Sequence, residues 1–208
     1  MRYRIKICGL TDPGQALAAT RAGADAIGLV FHARSRRAVS VEQAASVAAM
    51  MPPFVATVGL FVDPEPVEVE RVLKGCRLDL LQFHGAETGA FCRGFGLPYL
   101  KAVAMGDGFD PRPEMDAHPE ARGFLLDGHA GGMMGGSGQA FDWRRIPDAL
   151  ERPWLLAGGL HPGNVGQALA QTRPYGVDVS SGVERAPGQK DPRLVRDFVD
   201  AVRQVERE

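Results

Sequence analysis

The chain carries 208 residues, 45% of them hydrophobic and 24% charged, the make-up of one soluble globular domain able to bury a core without staples. Its formal net charge of -1, from 24 Lys and Arg against 25 Asp and Glu, gives no footprint for nucleic acid or an anionic membrane surface. The three cysteines, Cys8, Cys76 and Cys92, lie far apart with no CxxC or Cys/His zinc spacing, so neither a metal site nor a disulfide framework is expected.

The N-terminal MRYRIKICGLTD lacks the apolar core of a signal peptide, and no later apolar run reaches membrane-spanning length, so a cytoplasmic location is expected. Strand-like stretches follow at 3–8, 25–31, 54–61, 79–84, 98–104, 123–128, 154–159 and 176–181. They are short, apolar and mostly β-branched or aromatic, as strands buried on both faces are. Between them lie amphipathic or alanine-rich helix patterns at 13–22, 41–51, 65–74, 87–94, 162–171 and 191–206, with starts marked by Asp12-Pro13 and Ser40. Residues 105–121 carry three prolines and read as a loop with at most a short helical turn. Eight strands in 208 residues leave about 26 residues per unit, near the minimum for a right-handed parallel crossover. The expected fold is α/β: a single-domain (β/α)8 TIM barrel over residues 1–208, with helix five short or missing. A doubly wound open sheet would show the same alternation, but eight evenly spaced units favour closure.

Barrels of this kind build their active sites at the C-terminal ends of the strands. That rule selects Cys8, Phe31, His84, Asp127, Gly158-Gly159 and Ser180-Ser181. Cys8 in KICGLT ends strand one and is followed by glycine. It reads either as a small buried apolar residue or as a reactive thiol. Asp127 follows Phe124-Leu125-Leu126, an awkward place for a charge unless it caps a turn or has chemistry to do. Together a thiol and a carboxylate facing one pocket supply the base and acid that a proton-shuffling isomerase needs. Cys76 and Cys92 read as structural. The glycine-rich GHAGGMMGGSG at 128–138 suits a mobile loop over substrate and lacks the lysine of a P-loop. LLAGGLHPGNV at 155–165 and DVSSGVE at 178–184 follow strands seven and eight, the recurrent phosphate site of these barrels. Arg36 and Arg37 offer a planar cation for a carboxylate, or else a solvated basic loop. His84 is expected only to line the pocket. Strand parity also puts Lys6 on the inward face with Cys8, and Asp178 on the neighbouring strand eight, so the two are expected to pair inside the barrel.

The motifs KICGLT, FHARSRRAVS, LQFHG, LLDG with a later GGSGQAFDW, LAGGLHPGNV and GVDVSSGVE with PGQKD run in order from residue 6 to residue 191. In this the chain resembles the phosphoribosylanthranilate isomerases of tryptophan biosynthesis. The resemblance implies an Amadori rearrangement of N-(5-phosphoribosyl)anthranilate, with Cys8 as general base and Asp127 as general acid. It places the carboxylate clamp on Arg37 rather than Arg36, and the phosphate on Gly158-Gly159 and on Ser180, Ser181 and Gly182. It implies no metal or organic cofactor, because the protonated imine is its own electron sink, and a monomer or homodimer. The rival readings are a histidine-pathway or dual-substrate aminoaldose isomerase, against which Cys8 stands where a carboxylate would be used, and a non-catalytic barrel that binds a phosphate ligand.

Overall fold

The structure is a computed structural model describing residues 2–106, 108–128 and 141–207. Eight parallel strands close into a barrel in chain order. They are β1 (Arg4–Cys8), β2 (Ala26–Val30), β3 (Ala56–Phe61), β4 (Leu80–Phe83), β5 (Tyr99–Ala104), β6 (Gly123–Asp127), β7 (Trp154–Leu156) and β8 (Gly176–Val179). Closure comes from β1 pairing with β8, with Lys6 beside Asp178 and Ile7 beside Val179. A two-stranded hairpin, β9 (Glu184–Ala186) and β10 (Gln189–Lys190), follows β8. The sequence pattern did not anticipate this hairpin, whose strands are too short to show a period.

The helices are α1 (Pro13–Ala22), α2 (Val41–Ala48), α3 (Pro66–Gly75), α4 (Gly89–Cys92), α5 (Arg112–Asp116), α6 (Val165–Thr172) and α7 (Pro192–Val205). Their starts follow local chemistry. The Asp12 carboxylate accepts from the Gln15 amide ahead of Pro13, and Ser40 forms a reciprocal capping box with Gln43. Helix five is indeed short, five residues in the proline-rich unit. Three helices are shorter than the sequence pattern predicts. α2 stops at Ala48, since Pro52 and Pro53 turn the chain toward β3. Past Cys92, α4 tightens into a 3-10 turn over Arg93–Phe95. α6 begins only at Val165, because Asn164 bonds back to the His161 amide and the Gly159 carbonyl and holds Pro162-Gly163 in a turn. Between β6 and β7 the described residues form a 3-10 turn at Trp143–Arg145. The cover expected of the glycine-rich stretch falls on 129–138, outside the described residues.

The main core lies between strands and helices. Ile5 and Ile7 of β1 face it together with Ala16 and Ala19 of α1 and Phe198 and Val199 of α7. The opposite face of each strand fills the barrel with small apolar groups, Cys8 with Val30 and Leu60 on one side and Ala102 with Leu125 and Ala157 on the other. Set among them are the buried polar residues Lys6, Gln82, Lys101 and Asp178. A polar interior open at one end is what positions the site.

Candidate active site

At the C-terminal ends of the strands the barrel opens into a cavity of about 890 Å³. Cys8 and Asp127, the last residues of β1 and β6, both line it, 5% and 8% exposed. The two strands stand well apart around the closed sheet, so thiol and carboxylate face the cavity from different sides.

Burial pushes the Cys8 thiol up, the Lys6 ammonium opposes that, Asp178 reinforces it, and Lys190 opposes it again. The pairing expected inside the barrel is present: Lys6 Nζ donates to Asp178 Oδ1 at 3.0 Å, with both side chains buried. Asp127 Oδ2 lies 3.5 Å from His84 Nε2, and Gln82 Nε2 lies 3.3 Å from His84 Nδ1. The Gln82 amide donates when Nδ1 is the bare nitrogen, which leaves the Nε2 proton directed at the carboxylate. His84 lines the cavity as expected, and its ring also stands against the Asp127 carboxylate.

Gly158 and Gly159 adopt left-handed backbone, with φ of 82° and 66°. A Cβ on Gly158 would stand 2.6 Å from the Gly128 amide and 2.8 Å from Asp127 Oδ1, so only glycine lets the loop after β7 come this close to the carboxylate. Ser180 and Ser181 line the cavity, and the Ser180 hydroxyl donates to the Cys8 carbonyl at 3.0 Å. Gly182 stands outside the cavity lining, where a Cβ would strike the Leu160 carbonyl, so it serves close packing of the loops after β7 and β8.

Arg37 lies at the cavity with its guanidinium forked onto Glu184, Nε to Oε1 at 2.8 Å and Nη2 to Oε2 at 2.7 Å. Glu184 also takes Lys190 Nζ at 2.6 Å, and that lysine donates to the Ser180 carbonyl and hydroxyl. The two cations outweigh burial and hold the Glu184 carboxyl below its usual range. Arg36 lies at the same cavity, with its side chain more exposed than that of Arg37. Glu184 and Lys190 escaped residue-level reading because β9 and β10 bring them in. Lys101 of β5 escaped as well, although a lysine inside an apolar strand was a usable signal. It is buried against Glu87 at 3.4 Å and donates to the Gly85 carbonyl.

The family model of N-(5'-phosphoribosyl)anthranilate (PRA) isomerase matches residues 5–201 of this chain. The chain is 54% identical over 200 residues to the N-(5'-phosphoribosyl)anthranilate isomerase of Pseudomonas fluorescens, covering 96% of this chain and 98% of that one. Identity to the Acidithiobacillus ferrooxidans enzyme is 53% over 200 residues, 96% and 97% of the two chains. Among solved structures, phosphoribosyl anthranilate isomerase from Thermus thermophilus superposes with a TM-score of 0.85 at 37% identity, over 97% of this chain and 98% of that one. An isomerase of the same name, in complex with reduced 1-(o-carboxyphenylamino)-1-deoxyribulose 5-phosphate, gives 0.78 at 35% identity over 97% and 99%. The chain belongs to the N-(5'-phosphoribosyl)anthranilate isomerase family.

Proposed function

We propose that Cys8 and Asp127 carry the two proton transfers by which this enzyme isomerises N-(5'-phosphoribosyl)anthranilate to 1-(2-carboxyphenylamino)-1-deoxyribulose 5-phosphate in tryptophan biosynthesis. The observation that supports this reading best is that thiol and carboxylate end different strands of one barrel and line the same cavity. The protonated Asp127 carboxyl gives its proton to the furanose ring oxygen. The C1'–O bond breaks, and the anthranilate nitrogen lone pair forms the iminium. The Cys8 thiolate takes the C2' proton, the C–H pair becomes the C1'=C2' bond, and the iminium electrons return to nitrogen. Tautomerisation of the resulting enolamine gives the ketone. Every electron pair stays within the substrate, so the isomerisation balances without oxidant or reductant, and the chain's own groups suffice for the proton traffic.

The phosphate end of the substrate is assigned to the left-handed Gly158-Gly159 turn and to Ser180 and Ser181. Gly182 shapes that loop from outside the cavity. The anthranilate carboxylate is assigned to Arg37, whose fork is already set by Glu184. Holding both ends of the substrate places C1' and C2' between acid and base. The whole chain acts as one cytoplasmic domain, as a monomer or a homodimer. No helix among the described residues is long and apolar enough to cross a membrane.

The test follows the loss of phosphoribosylanthranilate fluorescence. The wild-type protein is expected to consume it, and Cys8→Ala and Asp127→Asn are each expected to lower kcat by about 10²–10⁴. Full activity in either variant would sink its assignment. Activity in neither the wild type nor the variants would leave the phosphate-binding barrel as the better reading.

A further inference from the structure

Lys6 is a charged side chain in the middle of the first strand, 2% exposed, beneath the cavity rather than at its rim. The proton transfers above do not use it. Its ammonium donates to Asp178 at 3.0 Å across the β1–β8 seam that closes the barrel. The same ammonium faces the Cys8 sulfur from below, because residues 6 and 8 share the inward face of β1. Gly28 of β2, in register with Cys8, shows how close the two groups stand. A Cβ built on Gly28 would lie 2.7 Å from Cys8 Sγ and 3.0 Å from Lys6 Nζ, so sulfur and ammonium flank one point that only glycine leaves empty.

We propose that Lys6, anchored by Asp178 and given room by Gly28, is a positioning residue of the isomerisation whose ammonium supplies the counter-charge on which the Cys8 thiolate depends. The proposal rests on Cys8 being the base. Each charged neighbour of the sulfur has its place. Lys6 adjoins it on β1, Asp178 on β8, Lys190 on β10 and Arg37 on the loop after β2, while β2 itself presents uncharged Gly28 and Val30. Arg37 and Lys190 both ion-pair with Glu184. Lys6 is therefore the cation that separates the sulfur from the Asp178 carboxylate. Without it, a deprotonated Cys8 would meet a buried carboxylate with no ammonium between them, and burial would hold the thiol protonated. Consistent with this, Asp178 and Cys8 together raise the Lys6 pKa even though burial lowers it.

The experiment titrates the thiol directly. Iodoacetamide alkylation of Cys8 is followed against pH by mass spectrometry of the peptide containing it, which keeps Cys76 and Cys92 out of the signal. The pH profile of kcat/KM is measured alongside. Lys6→Met/Asp178→Asn removes both charges and strands neither. Its alkylation midpoint and the acid limb of its kcat/KM profile are expected to move up together by more than about 0.3 pH unit, because the lysine lowers the thiol more than the aspartate raises it. Gly28→Ala keeps the ion pair and wedges a methyl between sulfur and ammonium. It is expected to move both midpoints in the same direction, and so it tests the contact should the double variant not fold. Alkylation midpoints within about 0.3 unit of wild type in either folded variant would overturn the proposal. Alkylation without substrate reads the coupling of Lys6 to Cys8 whether or not Cys8 is the base, whereas Cys8→Ala kinetics test the base assignment alone.

Discussion

At Cys8 the burial that shelters the sulfur from solvent also makes its charged form costly, and the neighbouring cations recover only part of that cost. The direction is upward, so at neutral pH the thiolate is the minor form. kcat/KM is therefore expected to keep rising as pH climbs past about 8.5, the ordinary thiol value. A steady-state pH series checks this, and a plateau already reached by about pH 7 would contradict the upward direction. How much of this was legible in the sequence depended on the residue. Asp127 stood out because a carboxylate is out of place at the end of an apolar strand, Cys8 because a thiol followed by glycine ends the first strand, and Lys6 with Asp178 because parity and closure left them one partner each. Glu184 gave no comparable pointer to its role. Glu184 looks like any acidic loop residue until the Arg37 fork, 147 residues away in sequence, is seen on it.

At the scale of elements, every barrel strand begins and ends within two or three residues of its sequence pattern, because an apolar strand buried on both faces is bounded by the polar residues at its ends. Helices are bounded by caps, and where a cap is unconventional the pattern misleads, as at Asn164 before α6. α7 is the clearest helix. Val195, Phe198, Val199 and Val202 are buried at helical spacing, and Asp191 accepts from the Arg193 amide ahead of the first turn. Phe198 is fully buried within the core that joins α7 to the barrel wall. Phe198→Ala is expected to cost about 3–5 kcal/mol, read as a lower urea midpoint with unchanged m-value. A loss below about 1 kcal/mol would mean that the site collapses around the deletion.

For the molecule as a whole, the barrel must hold its first strand in place, and side chains do so at both ends of it. Near the mouth the Ser180 hydroxyl bonds the Cys8 carbonyl, and the Lys6–Asp178 pair lies beneath it. At the opposite end α7 returns to the start of β1. Glu206 accepts from the Tyr3 amide at 2.6 Å, and Arg203 donates to the Tyr3 carbonyl at 3.0 Å and to Asp25 at 3.4 Å. Arg203→Ala breaks this tie far from the cavity. It is expected to lower unfolding free energy by about 1–3 kcal/mol while leaving kcat/KM at 25 °C unchanged, checked by urea melts beside the fluorescence assay. A matching fall in kcat/KM would show that the two ends of the barrel are coupled. By itself the sequence determined the eightfold alternation and the presence of thiol and carboxylate at strand ends, and it favoured closure into a barrel, since period, strand length and parity are local properties of the chain. Only the tertiary structure decided that Glu184 forks onto Arg37 and takes Lys190, that His84 turns to Asp127, and that Gly182 packs on Leu160 outside the cavity. A side chain's partner depends on which distant segments closure brings within hydrogen-bond reach, and no local pattern carries that information.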